Sequence, residues 1–450
     1  MLNEAPITTA TSARGSIELD KILEGNREIS VNAQLSTLNS QLSASRIALL
    51  TGGGDKPYAL GMAAALTSVG IHVDFIGSDE LKVPELLNDP LANFLNLRGD
   101  QCPEASRMAK ALRVLSYYVR LVRYAATARP KLFHILWNNK FQFFDRTILM
   151  LYYRMLGKKI TLTVHNVNAG KRDLNDSFLN RLSLRIQYYL CHHIFVHTNA
   201  MKRELVADFR IPEEKVSVIP FGINNTVPNT SLSTAEAKRQ LGIRKDNKTL
   251  LFFGNIAAYK GLEYLVVAFA ELLKKERSYN LLIAGNPKGS KDYWNRIRQA
   301  IARSRIGDRV IEKIEYVPDE ATELYFKAAD VLVLPYSRVF QSGVLFLGYS
   351  FGLPAIAADV GNLKEEIVDG ETGFVFTPRD SSDLARKIDK YFDSELFYDL
   401  EARRAQIKKY ANERYSWDKV ATIITAVYSD LLRSTEDRGQ TDDTGGADNR

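Results

Sequence analysis

Short apolar runs alternate with segments of helical periodicity along the chain from residue 46 onward. The first run, residues 46–51, has the length of a buried strand, and Gly52, Gly53 and Gly54 separate it from a helical pattern. Similar strand-like runs follow at residues 72–76, 132–136, 160–165 and 193–197. This alternation is typical of a doubly wound α/β domain with a parallel sheet, which we assign to residues 45–222.

The same pattern starts again after a polar stretch at residues 224–234, which has the composition of a linker. Strand-like runs occur at residues 249–253, 280–284, 315–317, 331–334 and 355–358. They predict a second doubly wound domain at residues 235–395, and a last amphipathic helix is predicted at residues 417–432. Residues 1–44 have the polar composition of a flexible extension, and residues 434–450 that of a disordered tail.

The composition is that of a folded globular protein, with 45% hydrophobic and 25% charged residues among 450. Two cysteines are too few for a disulfide framework or a thiolate zinc site. The amino terminus lacks the features of a signal peptide, and no apolar run is long enough to cross a bilayer. We therefore expect a cytoplasmic protein.

Positive charge is concentrated in one part of the chain. Residues 101–200 contain 16 Lys or Arg and 4 Asp or Glu, and hence a net charge of +12, against +7 for the whole chain. The stretch from Arg107 to Lys131 carries seven of these basic residues, no acidic residue, and Leu, Val and Tyr at helical spacing. Such a helix suits an anionic membrane surface, where each basic residue contributes about 1 kcal/mol. An ordinary amphipathic helix packed on the sheet is the alternative, and nucleic acid is disfavoured because no nucleic-acid-binding motif accompanies the charge.

Candidate binding residues follow the predicted strands, and ligands of open α/β sheets bind at the carboxyl ends of the strands. The glycines at 52–54 suit an anion or a sugar, although a tight turn explains them equally well. Lys260 and the segment 336–343 each precede a helix, whose amino terminus suits a diphosphate. His165 ends a strand and is a candidate catalytic residue, with a buried core histidine as the alternative. No metal-ligand motif is present, so we expect neither a metal nor another cofactor.

Several segments together resemble the retaining GT-B glycosyltransferases of glycosyltransferase family 4. The resemblance covers residues 46–430 and is most specific at residues 253–263, 282–285, 328–336, 341–344, 352–361 and 369–374. It implies an α/β fold of two Rossmann-like domains that face each other across a cleft. The C-terminal domain would bind a nucleotide sugar and the N-terminal domain the acceptor. It also implies that the helices of residues 396–433 return to the N-terminal domain.

The resemblance further implies roles for residues at matching positions. Lys260 and the amides around Ser342 and Gly343 would stabilise the leaving diphosphate without a metal, and His165 would contact the donor sugar or the acceptor hydroxyl. These two side chains, His165 and Lys260, are the predicted catalytic residues. The predicted donor-binding residues are Gly254, Asn255, Lys260, Gly285, Val317, Gln341, Ser342, Gly343 and Val344. The predicted acceptor-binding residues are Gly53, Gly54 and Asn166.

Three features depart from the family pattern. The family's arginine near the donor phosphates has no counterpart in residues 255–258, and its paired glutamates correspond to Val339 and Leu347. The glycine loop differs as well, because it continues from Gly54 as Asp, Lys and Pro.

The resemblance predicts an enzyme that transfers a sugar, with retention, to a saccharide or polyprenyl-linked acceptor during the synthesis of a cell-surface polysaccharide. Its place would be the cytoplasm, with peripheral attachment to the inner face of the cell membrane. The missing arginine and the two missing glutamates favour an alternative, a catalytically silent GT-B scaffold or regulator of a polysaccharide assembly complex. A sugar-nucleotide epimerase with the same two-domain architecture is a third hypothesis.

Overall fold

The structure is a computed structural model that describes residues 45–102, 104–172, 176–223, 227–287, 290–339 and 341–441. The predicted extension at residues 1–44 and part of the predicted linker, residues 224–226, lie outside the described residues. The described chain forms two α/β domains, each built on one parallel sheet.

The strands of the N-terminal domain are β1 (Arg46–Leu50), β2 (His72–Gly77), β3 (Ala92–Asn96), β4 (Leu132–Ile135), β5 (Lys159–Val164), β6 (His193–Val196) and β7 (Val216–Val218). They form a parallel sheet in the order β3-β2-β1-β4-β5-β6-β7. Its helices are α1 (Lys56–Ser68), α2 (Pro84–Leu87), α3 (Arg107–Thr127), α4 (Gln142–Arg146), α5 (Ile148–Met155), α6 (Ala169–Arg172), α7 (Phe178–Leu190) and α8 (Asn199–Phe209). The reversal of strand order between β1 and β4 opens a crevice at their carboxyl ends.

The C-terminal domain repeats this topology. Its strands are β8 (Lys248–Phe253), β9 (Tyr279–Ala284), β10 (Val310–Lys313), β11 (Val331–Leu334), β12 (Ala355–Ala358) and β13 (Gly373–Phe376), in the order β10-β9-β8-β11-β12-β13. Its helices are α9 (Thr234–Gln240), α10 (Leu262–Lys275), α11 (Lys291–Arg303), α12 (Asp319–Ala328), α13 (Gly343–Ser350), α14 (Leu363–Glu366) and α15 (Ser381–Phe392). The last helices are α16 (Glu395–Tyr398), α17 (Leu400–Arg414) and α18 (Trp417–Thr441). The two-domain α/β architecture is therefore the one predicted from the sequence.

Three predictions about individual elements were wrong. The strand expected at residues 315–317 lies earlier, at β10, because Glu312 and Lys313 end this edge strand on exposed positions and interrupt its apolar run. The structure also contains β3, β7 and β13, which the pattern missed and which lie at the edges of their sheets. Helix α18 continues to Thr441, nine residues beyond its predicted end and into the segment expected to be a tail.

The last helix, α18, packs on the N-terminal domain. The indole of Trp417 fills the space beside Gly61 and Gly222, where an added Cβ would come within 2.3 Å of its ring. Its Nε1 atom donates a hydrogen bond to the carbonyl of Ile223 at 3.1 Å. Farther along α18, Val420, Ile424 and Tyr428 are part of a buried apolar cluster with residues of β1 and α1. No helix among the described residues is long and apolar enough to cross a membrane.

Candidate active site

A cleft of about 980 Å³ lies between the two domains. It is lined by residues that follow β1 in one domain and by residues that follow β8, β10 and β11 in the other. The predicted site residues among them are Gly53, Gly54, Lys260, Val317, Gln341, Ser342, Gly343 and Val344. The carboxyl ends of the two parallel sheets thus contribute to one shared cavity.

Lys260 reaches the cleft from a turn that follows β8. Its side chain is mostly buried, and its Nζ atom lies 5.2 Å from the ring centroid of Tyr336. Gly254 leaves room for this lysine, because an added Cβ at residue 254 would lie 3.1 Å from Nζ. The turn therefore holds a cation at the carboxyl end of the sheet, where an anionic group of a ligand would meet it.

Gly254 and Gly285 allow the backbone after two neighbouring strands to come close together. They end β8 and β9, and an added Cβ at Gly285 would lie 1.7 Å from the carbonyl oxygen of Gly254. Only a glycine allows two strand ends to approach so closely. Neither glycine lines the cleft directly, and Asn255 is exposed outside it.

The amino terminus of α13 faces the cleft next to Lys260. Ser342 precedes the helix and makes no side-chain capping bond to it, so its hydroxyl instead pairs with that of Tyr336 at 3.2 Å. Gln341 also lines the cleft, and its Oε1 atom is buried with no hydrogen-bond partner among the described residues. Helix N–H groups, a hydroxyl and a lysine thus converge at one place, an arrangement that suits a diphosphate.

His165 lies behind the cleft, in an aromatic cluster of the N-terminal domain. Its ring stacks on Trp137, with centroids 4.2 Å apart and planes 5° apart, and its Nδ1 atom lies 3.0 Å from Nε2 of His197. Phe221 lines the cleft and packs edge-on against His197, with centroids 5.0 Å apart. His165 itself is not among the residues that line the cleft.

The surroundings of His165 determine its charge. Burial lowers the pKa of this imidazole well below its usual value, and the nearby His197 and His134 lower it further. His165 is therefore neutral at pH 7 and can exchange hydrogen bonds without carrying a charge. Its Nε2 atom and the Oδ1 atom of the adjacent Asn166 are buried, and neither has a well-formed hydrogen bond among the described residues.

Sequence reasoning missed several neighbours of these residues, namely Tyr58, Trp137, His197 and Phe221, whereas Tyr336 belongs to the predicted segment 336–343. Trp137 lies two residues after β4, and His197 directly follows β6. Their position after a buried strand could have marked them as candidate site residues. Phe221 follows β7 in the same way. Trp137 also explains the glycine loop, because an added Cβ at Gly54 would lie 1.9 Å from its indole ring.

Two carboxylates, those of Asp55 and Asp319, line the cleft, and neither was predicted as a site residue. Asp55 caps α1 by accepting a hydrogen bond from the N–H of Tyr58 at 2.9 Å, and Asp319 begins α12 in the other domain. Desolvation raises the pKa of Asp55, and the charge of Asp319 raises it further. By contrast, Val339 and Leu347 present apolar side chains to the cleft. Among the described residues, no group of three His, Cys, Asp or Glu is arranged to hold a metal ion.

Two protein families match this chain. Residues 52–226 match the family described as Glycosyltransferase Family 4, and residues 233–414 match the family described as Glycosyl transferases group 1. An uncharacterized glycosyltransferase of Methanocaldococcus jannaschii is 30% identical over 246 residues, which are 54% of this chain and 60% of that protein. The chain thus spans about three fifths of the length of this curated relative.

Solved structures share the fold over most of the chain. Sucrose-phosphate synthase from Thermosynechococcus elongatus superposes with a TM-score of 0.68 at 19% identity, covering 87% of this chain and 100% of that one. HepE of Anabaena, in a complex with UDP and glucose, superposes with a TM-score of 0.65 at 18% identity, covering 87% and 100%. The solved structures show a two-domain α/β fold of the GT-B type, and the two family matches relate its two halves to glycosyltransferase families.

Proposed function

We propose that this GT-B protein of the family 4 type transfers a sugar from a nucleotide-sugar donor, with retention, to a saccharide or a lipid-linked saccharide. In this proposal Lys260 and the amides at the start of α13 stabilise the charge that develops on the leaving diphosphate. Such fixed charges and dipoles act without reorganisation during the reaction. His165 is neutral and lies behind the cleft, so in this proposal it positions Trp137 and His197 and does not act as a cationic acid.

The donor assignment rests on one observation. Lys260, the Tyr336–Ser342 hydroxyl pair and the start of α13, which has no side-chain cap, converge in the cleft. The buried Oε1 atom of Gln341 is a hydrogen-bond acceptor that has no donor among the described residues, so a hydroxyl of the donor sugar could bind to it. HepE, whose fold is similar, was solved with UDP and glucose, and this supports a nucleotide sugar as the donor class.

The donor is tested by thermal shift with UDP, GDP, ADP and their common sugar conjugates. A ligand at 100 times its dissociation constant stabilises a protein by about 2.7 kcal/mol, which raises the midpoint of unfolding measurably. We expect one nucleotide series to stabilise the protein and the others not to do so. If none of them stabilises it, the donor assignment is refuted.

Retention is tested separately, by proton NMR during slow hydrolysis of the bound donor. With an α-linked donor, a retaining enzyme releases the α-anomer of the sugar first, before mutarotation equilibrates the two forms. Early release of the β-anomer would contradict retention and leave the donor assignment intact.

We further propose that the protein works at an anionic membrane surface and that its acceptor lies there. Helix α3 exposes one apolar stripe at the spacing of a single helix face, formed by Met108, Leu112, Leu115 and Val119, each at least 59% exposed. Helix α5 lies beside it, with a hydrogen bond from Tyr152 to the carbonyl of Val122, and exposes Ile148, Leu151 and Met155. Exposed apolar surface of this size marks an interaction site, and basic residues on the same helix suit acidic lipids.

A catalytically silent scaffold is the second candidate, and one observation favours it. Val339 and Leu347 line the cleft at the positions where the family pattern has glutamates. A scaffold of this kind would bind neither nucleotide nor sugar, so the thermal-shift screen separates the two functions. Conversion of the donor sugar with no acceptor present would indicate an epimerase instead.

A further inference from the structure

A second cavity, of about 240 Å³, lies in the N-terminal domain next to α3, and we call it the cation pocket. Four of its lining side chains are basic, those of Arg98, Lys110, Arg113 and Lys140, and no lining residue is acidic. Arg98 comes after β3, and Lys140 lies in the segment after β4, two strands that β2 and β1 separate in the sheet. Lys110 and Arg113 lie on α3, so two loops and one helix bring these charges together. Like charges repel one another, and a cluster of this kind is stabilised by a bound anion.

The guanidinium of Arg98 has a buried N–H group that a ligand could pair with. Its Nη1 atom is buried and has no hydrogen-bond partner among the described residues. Its guanidinium packs over the ring of Tyr117, with Cζ 5.7 Å from the centroid. A buried N–H group without an acceptor is costly, and the planar guanidinium matches the oxygens of a phosphate or a carboxylate.

No carboxylate of the part of the chain that the structure describes lines this pocket. Asp145, behind its inner wall, accepts hydrogen bonds from Tyr118 at 2.9 Å and from Asn139 at 3.3 Å. In the part of the chain that the structure describes, no ion pair joins a carboxylate to Arg98, Arg113 or Lys140. Arg113 donates to the backbone carbonyl of Asp100 at 2.5 Å, which leaves its other N–H groups for a ligand.

The pocket adjoins the acceptor side of the cleft. Gly53 lines the cleft, and an added Cβ at this residue would lie 1.9 Å from Nη1 of Arg98. The glycine therefore allows the guanidinium to lie against the loop that forms the wall of the cleft. An anion held by Arg98 would be a direct neighbour of a sugar in the N-terminal half of the cleft.

We propose that the cation pocket binds the phosphate or diphosphate group of the acceptor, an inference that rests on the proposed transferase function. Arg98 and Arg113 would bind its oxygens through paired N–H groups, and Lys110 and Lys140 would add point charges. Phe141 and Phe143 lie shortly after Lys140 in the chain and are 55% and 52% exposed, so an apolar chain attached to the phosphate has a surface to lie on. A prenyl diphosphate and a soluble sugar phosphate share the chemistry that the pocket recognises.

The test is calorimetric titration of the full chain with inorganic pyrophosphate at low ionic strength, in the presence of saturating UDP. UDP occupies the donor site, so a remaining binding event reports a second anion site. We expect this event to weaken at least tenfold in Arg98→Gln combined with Arg113→Gln. The matched control, Arg120→Gln, removes an exposed arginine of α3 outside the pocket and should bind pyrophosphate like the wild type.

A second double variant, Arg113→Gln with Lys140→Gln, leaves the half-buried Arg98 in place. It keeps the test valid if the variant that lacks Arg98 does not fold. Unchanged binding in both double variants, or a pyrophosphate signal that UDP abolishes completely, overturns the proposal. Absence of UDP binding contradicts the donor assignment instead, and pyrophosphate binding then still reports on the pocket.

Geranyl diphosphate and glucose 6-phosphate then identify the source of the anion. Tighter binding of the prenyl compound than of pyrophosphate, by tenfold or more, supports a lipid-linked acceptor at Phe141 and Phe143. Tighter binding of the sugar phosphate supports a soluble acceptor. Weaker binding of both than of pyrophosphate, with no effect of the double variants on either, contradicts an acceptor role.

Discussion

Replacement of Lys260 by methionine tests the chemistry of the donor site. Methionine keeps most of the volume of the lysine stem and removes its charge. Lys260 is 7% exposed, and its Nζ atom lies beside Gly254 and over the ring of Tyr336. The variant therefore removes the cation that we place next to the diphosphate, with little change in packing.

The expected loss follows from the burial of this lysine. A hydrogen bond to a charged group contributes about 1.5–3 kcal/mol, and at an effective dielectric constant near 20 the Coulomb term at about 4 Å is of similar size. Since each 1.4 kcal/mol corresponds to about a factor of ten, Lys260→Met should weaken nucleoside diphosphate binding by roughly 10- to 150-fold. The parent nucleoside has no phosphate, so its affinity should stay within about twofold.

The assay compares the two dissociation constants, for the diphosphate selected by thermal shift and for its nucleoside, by titration calorimetry. Lys248→Met is the matched control, because Lys248 begins the same strand β8 and pairs with Glu276 at 2.8 Å, away from the cleft. Its effect on either ligand should be negligible. Equal weakening of nucleoside and diphosphate by Lys260→Met, or no weakening of either, would refute the phosphate role.

Three further predictions concern the membrane, a buried ion pair and the effect of pH. Arg120→Glu with Arg123→Glu should release the protein from anionic liposomes at low salt in a flotation assay, and a wild type that never binds them contradicts the membrane proposal. Lys238→Met should lower the free energy of unfolding, measured in urea, by about 3–5 kcal/mol. The variant leaves the buried carboxylate of Asp330, 2.8 Å from Nζ of Lys238, without its cation. A loss below about 1 kcal/mol would show that this ion pair is dispensable. Burial raises the pKa of Glu366 from 4.5 to about 7, so the folded chain binds this proton more tightly than the unfolded chain does. The free energy of unfolding should therefore fall as the pH rises from about 4.5 to about 7, by at most about 3 kcal/mol, and Glu366→Gln should flatten this slope in urea titrations at pH 5 and pH 7.5.

The alternation of apolar runs and helical segments was sufficient to predict both domains. Parallel strands that are buried on both faces consist of nearly continuous apolar residues, as in β1 and β9, so local composition reveals them. Edge strands escaped this criterion, because β3 and β10 are only half-buried and their apolar runs are broken. The residues after β8 and β11 were similarly accessible from the sequence, since glycine and polar residues mark the ends of strands.

Candidate site residues were predictable where they belong to a loop that follows a strand. Lys260, Ser342 and Gly343 belong to loops whose place at the carboxyl edge of a parallel sheet follows from topology alone. The sequence also showed that α3 is basic, but it did not show which face of the helix packs against the sheet. Whether Leu115 or Tyr117 would be buried depended on which side of the helix met the sheet, and the structure buries the tyrosine.

Only the tertiary structure decided which side chains become neighbours across distant parts of the chain. His165, Trp137 and His197 come from three different strand ends, and their stacking and hydrogen bond depend on the order of β4, β5 and β6 in the sheet. The contact of Arg98 with Gly53 likewise joins the segments that follow β3 and β1. Periodicity reports the environment of a residue along its own element, whereas packing between elements selects its partners, and the chemistry of this protein depends on those partners.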